Sequence, residues 1–487
     1  MGERIVRNIS YTLEIQWDGS NWTNESQYLM SLSGAFELVK PSESFLNGRP
    51  IIGEHQLILW NETSRFSDYN GSSSIFAHIT KGAYERKKVR LSVTIEGVTS
   101  WVFKGQIKRI DESFVERTVT IVCRDPLEWL KTKVSSAMIL NEPAHEVIAR
   151  YLTDAGLDDG TDFVSVASGT VGNPATIDFF TQSIPYVWLD DEAVWDELSE
   201  VVRSLGGRVQ VRSDGKVYVE ADWHWATGSF TPIVTFTLSN AGDILPTFID
   251  KEHADEIIVE YSERVMGSTD TELWKLPKAV YVYPGKTEVI EARFQWPAVV
   301  VKALADYSLV DISGKDLSAS GASLTMQSYG QRSIITLTNN STSVCVLAAL
   351  KVYGTPLLGL PSQQIKLRDN ALQYSLTIEE RSNFYIQTRA QAQALANVLQ
   401  WLNKDRKRLY TISKIQGKPE YEPGKRVAIN AGLLSVAGII VHVGYQGKTG
   451  ESGSSFSQTL RIIEDEFQQP LFIIGSSLFS DNKVYWH

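Results

Sequence analysis

Between residues 46 and 130 the chain alternates short apolar runs with turn-forming clusters, and this texture most restricts its fold. Leu57-Ile58-Leu59-Trp60-Asn61 leads into the loop Arg65-Phe66-Ser67-Asp68-Tyr69-Asn70-Gly71-Ser72-Ser73-Ser74-Ile75-Phe76. Lys88-Val89-Arg90-Leu91-Ser92-Val93, Phe103-Lys104-Gly105-Gln106-Ile107 and Val122-Cys123-Arg124-Asp125-Pro126-Leu127 follow. Tyr11–Ile15 and Thr118–Val122 repeat the alternation, and Asp18-Gly19 and Asn47-Gly48 signal turns. Period-two patterning with frequent turns predicts a barrel or sandwich over 1–135.

Past residue 135 the period changes. Ala144, Val147, Ile148, Tyr151 and Leu152 share one helical face, with Asn141 as expected N-cap and Gly156 as stop. A second helix is expected after Asp190 or Asp191, with Val194, Trp195, Leu198, Val201, Val202 and Leu205 inward. Arg208–Val211 and Lys216–Val219 flank Ser213-Asp214-Gly215, a hairpin signal. The expected divisions are an α+β section over 136–285, a β-sandwich over 286–365 and a helix plus second β-domain over 366–487. In the last, Thr388 and Gln391 spell a capping box, with Ala394, Leu395, Val398, Leu399 and Leu402 facing inward.

At 487 residues, about three or four domains are expected. The apolar (43%) and charged (21%) fractions are those of a folded chain, with no run long enough for a membrane-spanning helix and no signal-peptide h-region at Met1-Gly2-Glu3-Arg4-Ile5. Assembly in a cytoplasm is the expectation. Cys123 and Cys345 lie far apart in apolar runs and read as buried packing residues. A net charge of −10 argues against base-reading of DNA, but acidic walls would let a duplex slide through.

Motifs for catalysis fail on inspection. His145-Glu146-Val147-Ile148 continues with Ala149, so a second metal-binding histidine is missing. Gly285-Lys286-Thr287 and Gly447-Lys448-Thr449 lack the earlier glycine of a phosphate loop, with Val280 and His442 in its place. Asp158-Asp159 could host a cation; Asp190-Asp191-Glu192 reads as an acidic helix start. Trp223-His224-Trp225 reads as packing rather than a sugar platform, and Lys404–Arg408 as a solvated helix end rather than a DNA contact. No catalytic residue, metal or cofactor is expected.

The succession in 46–130, the strand–Asn–turn–strand run Ser333–Leu357 ending Gly354-Thr355-Pro356-Leu357, and the alanine-rich helix followed by Pro423-Gly424-Lys425-Arg426-Val427 resemble, in that order, bacteriophage tail-tip and baseplate hub proteins. The resemblance implies a mainly β fold: two tail-tube-like β-barrels, an α+β middle domain and an inserted β-sandwich. It also implies a non-enzymatic virion protein at the distal end of a long, non-contractile tail. As a homotrimer, with two barrels per subunit, it would form a pseudo-sixfold ring, match the distal tail ring or tail-tube protein, and continue the DNA channel. Other implied partners are the tape-measure protein and a tip, spike or fibre protein. Phe66, Tyr69, Phe76 and Phe103 are the subunit-interface candidates, and Tyr485 and Trp486 the candidates for docking a partner. Loop 64–76 reads equally as an ordinary surface loop. About 20 residues follow the second barrel, short of a hydrolase or fibre extension. Alternatives are a distal tail ring protein, the hub of a contractile or secretion-type injector, and a β-rich carbohydrate- or receptor-binding tail protein.

Overall fold

The computed structural model describes residues 8–38, 51–221, 231–248, 254–317, 321–368, 377–403, 408–418, 420–432, 434–450 and 453–464. Strands hold 51% and helices 13%, which makes the chain mainly β.

Its largest element is a 13-stranded sheet. From one edge its main path runs Thr23–Asn24, Ile9–Ile15, Lys88–Ile95, Val98–Ser113, Thr118–Arg124, Glu54–Trp60 and Leu29–Glu37, then Leu434–Lys448, Ser455–Glu464, Arg408–Gln416 and Asp243–Phe248. Arg426–Ala431 pairs on Leu434–Lys448, and Thr235–Thr237 pairs in turn on Arg426–Ala431. Pro246, which has no N–H to give a ladder, lies on the edge strand, where that lack is tolerated. The described pairings form an open path rather than two closed barrels.

The cause of this sheet is visible strand by strand. Ser455–Glu464 buries Phe456, Gln458, Leu460 and Ile462 and turns Ser457, Thr459 and Arg461 the other way. Two apolar cores cover its inner side. One gathers Leu13, Leu57, Leu91 and Ile121 with Tyr445 and Phe456 from the far end of the chain. The other gathers Phe236, Tyr410, Ile412, Ile429, Leu460 and Ile462. Each such fully buried side chain contributes about 1.5–3 kcal/mol.

Among the described residues the α-helices are Ala144–Asp154, Val194–Ser204 and Arg389–Leu402, besides the four-residue Phe76–Ile79. The third carries the capping box formed by Thr388 and Gln391. Its buried stripe is Gln391, Ala392, Leu395, Ala396, Leu399 and Leu402, so Ala394 and Val398 flank the core instead of filling it. Two expected helix starts shift. Pro143, not Asn141, precedes the first helix, because Ile139–Pro143 is drawn into a ladder with Ser183–Val187. Asp190–Ala193 likewise pairs with Lys133–Ser135, and Asp190 meets Arg332 at 3.2 Å instead of capping a helix.

Arg332 also reaches Glu291 (2.8 Å) and Ser135, tying the α+β section to the sheets of residues 264–359. There, Cys345–Gly359 is the common partner of five shorter strands. The hairpin Arg208–Val211/Val217–Glu220 touches both halves of the large sheet. Gly215, at φ +77° in its turn, lies so close to Lys104 that a Cβ would sit 2.5 Å from the lysine Cβ, and Ser213 Oγ donates to Glu422 at 2.6 Å.

Cys123 and Cys345 are both buried, and burial pushes both thiols up. Folded protein is therefore expected to resist maleimide, with two thiols labelled after denaturation. Rapid labelling of the folded chain, read by mass spectrometry, would contradict this packing.

Candidate functional site

Leu29–Glu37 is the strand on which the two halves meet. One edge pairs with Glu54–Trp60, and the other pairs antiparallel with Leu434–Lys448, from Ser31↔Lys448 to Glu37↔His442. Two further bonds reinforce this seam: the Tyr11 hydroxyl donates to Ser455 O at 2.6 Å, and Thr449 Oγ1 donates to Leu29 O.

Under the seam lies an aromatic stack. His55 is parallel to Phe103 (centroids 4.5 Å, planes 10° apart) and nearly so to Tyr445 (5.8 Å, 15°). Its Nδ1 is 2.6 Å from the Tyr445 hydroxyl. Burial, aided by the Arg124 charge, pushes His55 down to about 3, so the imidazole is neutral at physiological pH. The stack fits because Gly34 sits above it: a Cβ there would lie 2.4 Å from His55 Nδ1 and 2.5 Å from the Tyr445 hydroxyl. Nearby, Asp125 accepts from Gly53 N (2.5 Å) and Leu127 N (3.0 Å), while burial raises it to about 7.

Opposite the stack, the sheet is polar. In register across the seam run Ser457, Gln446, Ser33 and Gln56, and beside them Ser455, Lys448, Ser31, Ile58 and Thr120. A groove of about 300 Å³ runs between Ser31, Ser33, Gln56, Gln446, Lys448 and Ser457. Flanking acids are partnered: Glu37 with Arg461 (3.3 Å) and with the His442 ring Nδ1 (3.1 Å), Glu54 with Arg124 (2.5 Å). Hydroxyls and amides on this face can exchange hydrogen bonds with water or a passing polymer, and the exposed Lys448 stands among them.

The interface candidates separate into two pairs. Phe66 (1% exposed) packs edge-on to Tyr28 at 5.4 Å, and Phe103 (0%) belongs to the His55 stack. Both rings are core residues, contrary to the sequence expectation, because the chain itself already covers them. Tyr69 is exposed, with its hydroxyl 3.1 Å from Glu112 and its ring 5.7 Å from Phe114, and Phe76 is half-buried at the start of its short helix. Glu112 also accepts from Asn61 (2.8 Å) and Ser67 (2.6 Å), pinning the Ser-rich loop to the tip of Val98–Ser113. Phe114, beside Tyr69, and its neighbour Val115 are both exposed; an apolar pair inside a hairpin turn is their signal in the sequence. Tyr485, Trp486, Trp223-His224-Trp225 and Lys404–Lys407 lie outside the described residues. Among the described residues no group of three or more His, Cys, Asp or Glu is placed to hold a metal, and no helix is long and apolar enough to cross a membrane.

No family model matches the sequence, and no curated protein does. In structure the chain is similar to phage tail and baseplate proteins. The prophage MuSo2 43 kDa tail protein from Shewanella oneidensis aligns over 94% of this chain and 99% of its own, at 10% identity and TM-score 0.47. A tail protein from Neisseria meningitidis aligns over 94% and 97%, at 11% identity and TM-score 0.45. A prophage tail protein from Listeria monocytogenes aligns over 94% and 95%, at 10% identity and TM-score 0.39.

Proposed function

We propose that this chain is a structural protein of a phage tail, forming the hub at its distal end as a trimeric ring around the DNA channel. The observation that carries the reading is the seam. A strand from the first β-domain pairs along its length with one from the last, so each subunit offers one continuous wall instead of two loosely tethered modules. Two β-domains per chain in three copies give six units, which fits a threefold tip to a sixfold tube. The polar face across the seam, where Lys448 is set among hydroxyls and amides, is the surface suited to line the channel, because DNA and tape-measure protein could slide along it without being held tightly. Tyr69, Phe76, Phe114 and Val115 are the residues assigned to subunit contact. No covalent chemistry is involved; assembly rests on buried interface area under closed symmetry.

Native mass spectrometry of the full chain, with electron microscopy of particles labelled on it, tests the proposal. Three copies at the tail tip are expected. Six copies would make it a distal ring protein, and glycan binding by a stable monomer would make it a receptor-binding protein.

A further inference from the structure

Away from the sheet face, three elements converge on a buried chain of hydroxyls and one carboxyl. Tyr151 of Ala144–Asp154 and Tyr385 have no exposed surface, and their hydroxyls are 2.7 Å apart. The Tyr385 hydroxyl also contacts Glu197 Oε2 on Val194–Ser204. Around this chain the segment 380–391 is fastened to the α+β core by polar contacts, beside the burial of the Tyr385 ring in the apolar core and Phe384 edge-on to Trp188 at 4.5 Å. Arg203 pairs with Glu380, and Asn383 Nδ2 donates to Glu200 O at 3.0 Å. Gln387 exchanges two hydrogen bonds with the Tyr186 backbone (2.7 and 3.0 Å), and Gln391 Nε2 donates to Ser183 O at 3.3 Å. The same segment then caps the helix Arg389–Leu402, which packs against the C-terminal half of the large sheet.

The charges around Glu197 are mostly of its own sign. Glu192, Asp196 and Glu200 act on it from its own side. From the segment opposite come Tyr385 and Glu380, the latter engaged with Arg203. From the first helix come Tyr151 and Arg150, which is engaged with Glu142 at 2.6 Å. Arg264 is stacked over Phe384 at 3.7 Å. None of the ion pairs among the described residues includes Glu197.

We propose that Glu197, Tyr385 and Tyr151 form a proton-dependent latch. It is closed while Glu197 is protonated, and when Glu197 ionises it loosens segment 380–391 from the α+β core. This inference does not rest on the proposed tail function. Burial first pushes the Glu197 carboxyl from 4.5 up to about 7, against the Tyr385 hydrogen bond, which pulls it down, and with Glu200, Glu192 and Asp196 adding to the rise. The closed form therefore holds the proton more tightly than the open form. Its stabilisation is complete below 4.5 and is lost as pH rises through about 7.

Hydrogen exchange of the full chain, corrected for intrinsic rates, is the test. Peptides covering 194–204 and 380–391 should lose protection about tenfold or more between pH about 5 and about 8. Glu197→Gln, which stays neutral, should keep the acidic protection at both pH values. Tyr385→Phe should lower protection at both while keeping the pH response, since Glu197 still titrates. A wild type whose corrected protection in these peptides is independent of pH overturns the latch whatever the variants do. A Glu197→Gln protein that responds to pH like wild type overturns it too.

Discussion

Replacing Gly34 with valine is expected to destabilise the folded chain by about 3 kcal/mol or more. The strand Leu29–Glu37 lies between Glu54–Trp60 and Leu434–Lys448, so it cannot shift towards one neighbour without losing register on the other. A Cβ at residue 34 would sit 2.4 Å from His55 Nδ1 and 2.5 Å from the Tyr445 hydroxyl. His55 in turn lies flat on Phe103, 4.5 Å between centroids, and so has no open space to move into. Overpacking a close-packed site costs about 1–3 kcal/mol, and separating the buried Tyr445–His55 pair adds about 1–3 kcal/mol. Gly71 is the control, since a Cβ there meets nothing within 4 Å, and Gly71→Val should change stability by about 0.5 kcal/mol at most. Urea unfolding compares the two. Equal midpoints would mean that the seam tolerates a side chain at residue 34.

That seam could not be read from the sequence, and the reason is distance along the chain. Ser31 and Lys448 face each other across a ladder, yet no local pattern in either strand names its partner. Only the glycines hint at it: Gly34 and Gly447 interrupt strand patterns where another ring approaches, the Tyr11 hydroxyl in the case of Gly447. Features decided within a few residues were legible. The capping box at Thr388 and Gln391 and the hairpin turn at Asp214-Gly215 formed where expected because each is closed by its own neighbours. Asp190 and Asp191 misled because acidic residues ahead of an apolar stripe resemble a helix start. Their actual surroundings, Lys133–Ser135 and Arg332, come from elsewhere in the chain. Phe66 and Phe103 misled in the same way: an aromatic ring next to a loop looks available until Tyr28 and His55 cover it. The polar face was half legible, since alternation in Ser455–Glu464 gives its outward residues but not the four-strand rows they join.

A cationic substitution on that face should change its behaviour towards DNA far more than its stability. Ser33, Thr120 and Thr459 are on the polar side, and none is directly paired with another, so three lysines there avoid cross-strand repulsion. On the wild-type face Glu37 pairs with Arg461 and Glu54 with Arg124, Lys448 is a lone exposed cation among the described residues, and the whole chain carries −10. Neither the pairing nor the net charge favours release of counterions from a duplex. Ser33→Lys, Thr120→Lys and Thr459→Lys together offer three new phosphate contacts, and each contact steepens the log–log salt dependence of binding by about one. The full-length triple variant is therefore expected to retain duplex DNA at low salt and release it with a slope steeper than wild type by about three. Glutamine at the same three positions keeps the size without the charge and should leave DNA binding as in wild type. If this face lines the path of the DNA as proposed, the lysine variant in assembled particles should slow DNA ejection while the glutamine variant does not. If lysine and glutamine variants eject at the same rate although only the former binds duplex in solution, the proposed placement of this face along the path of the DNA is wrong.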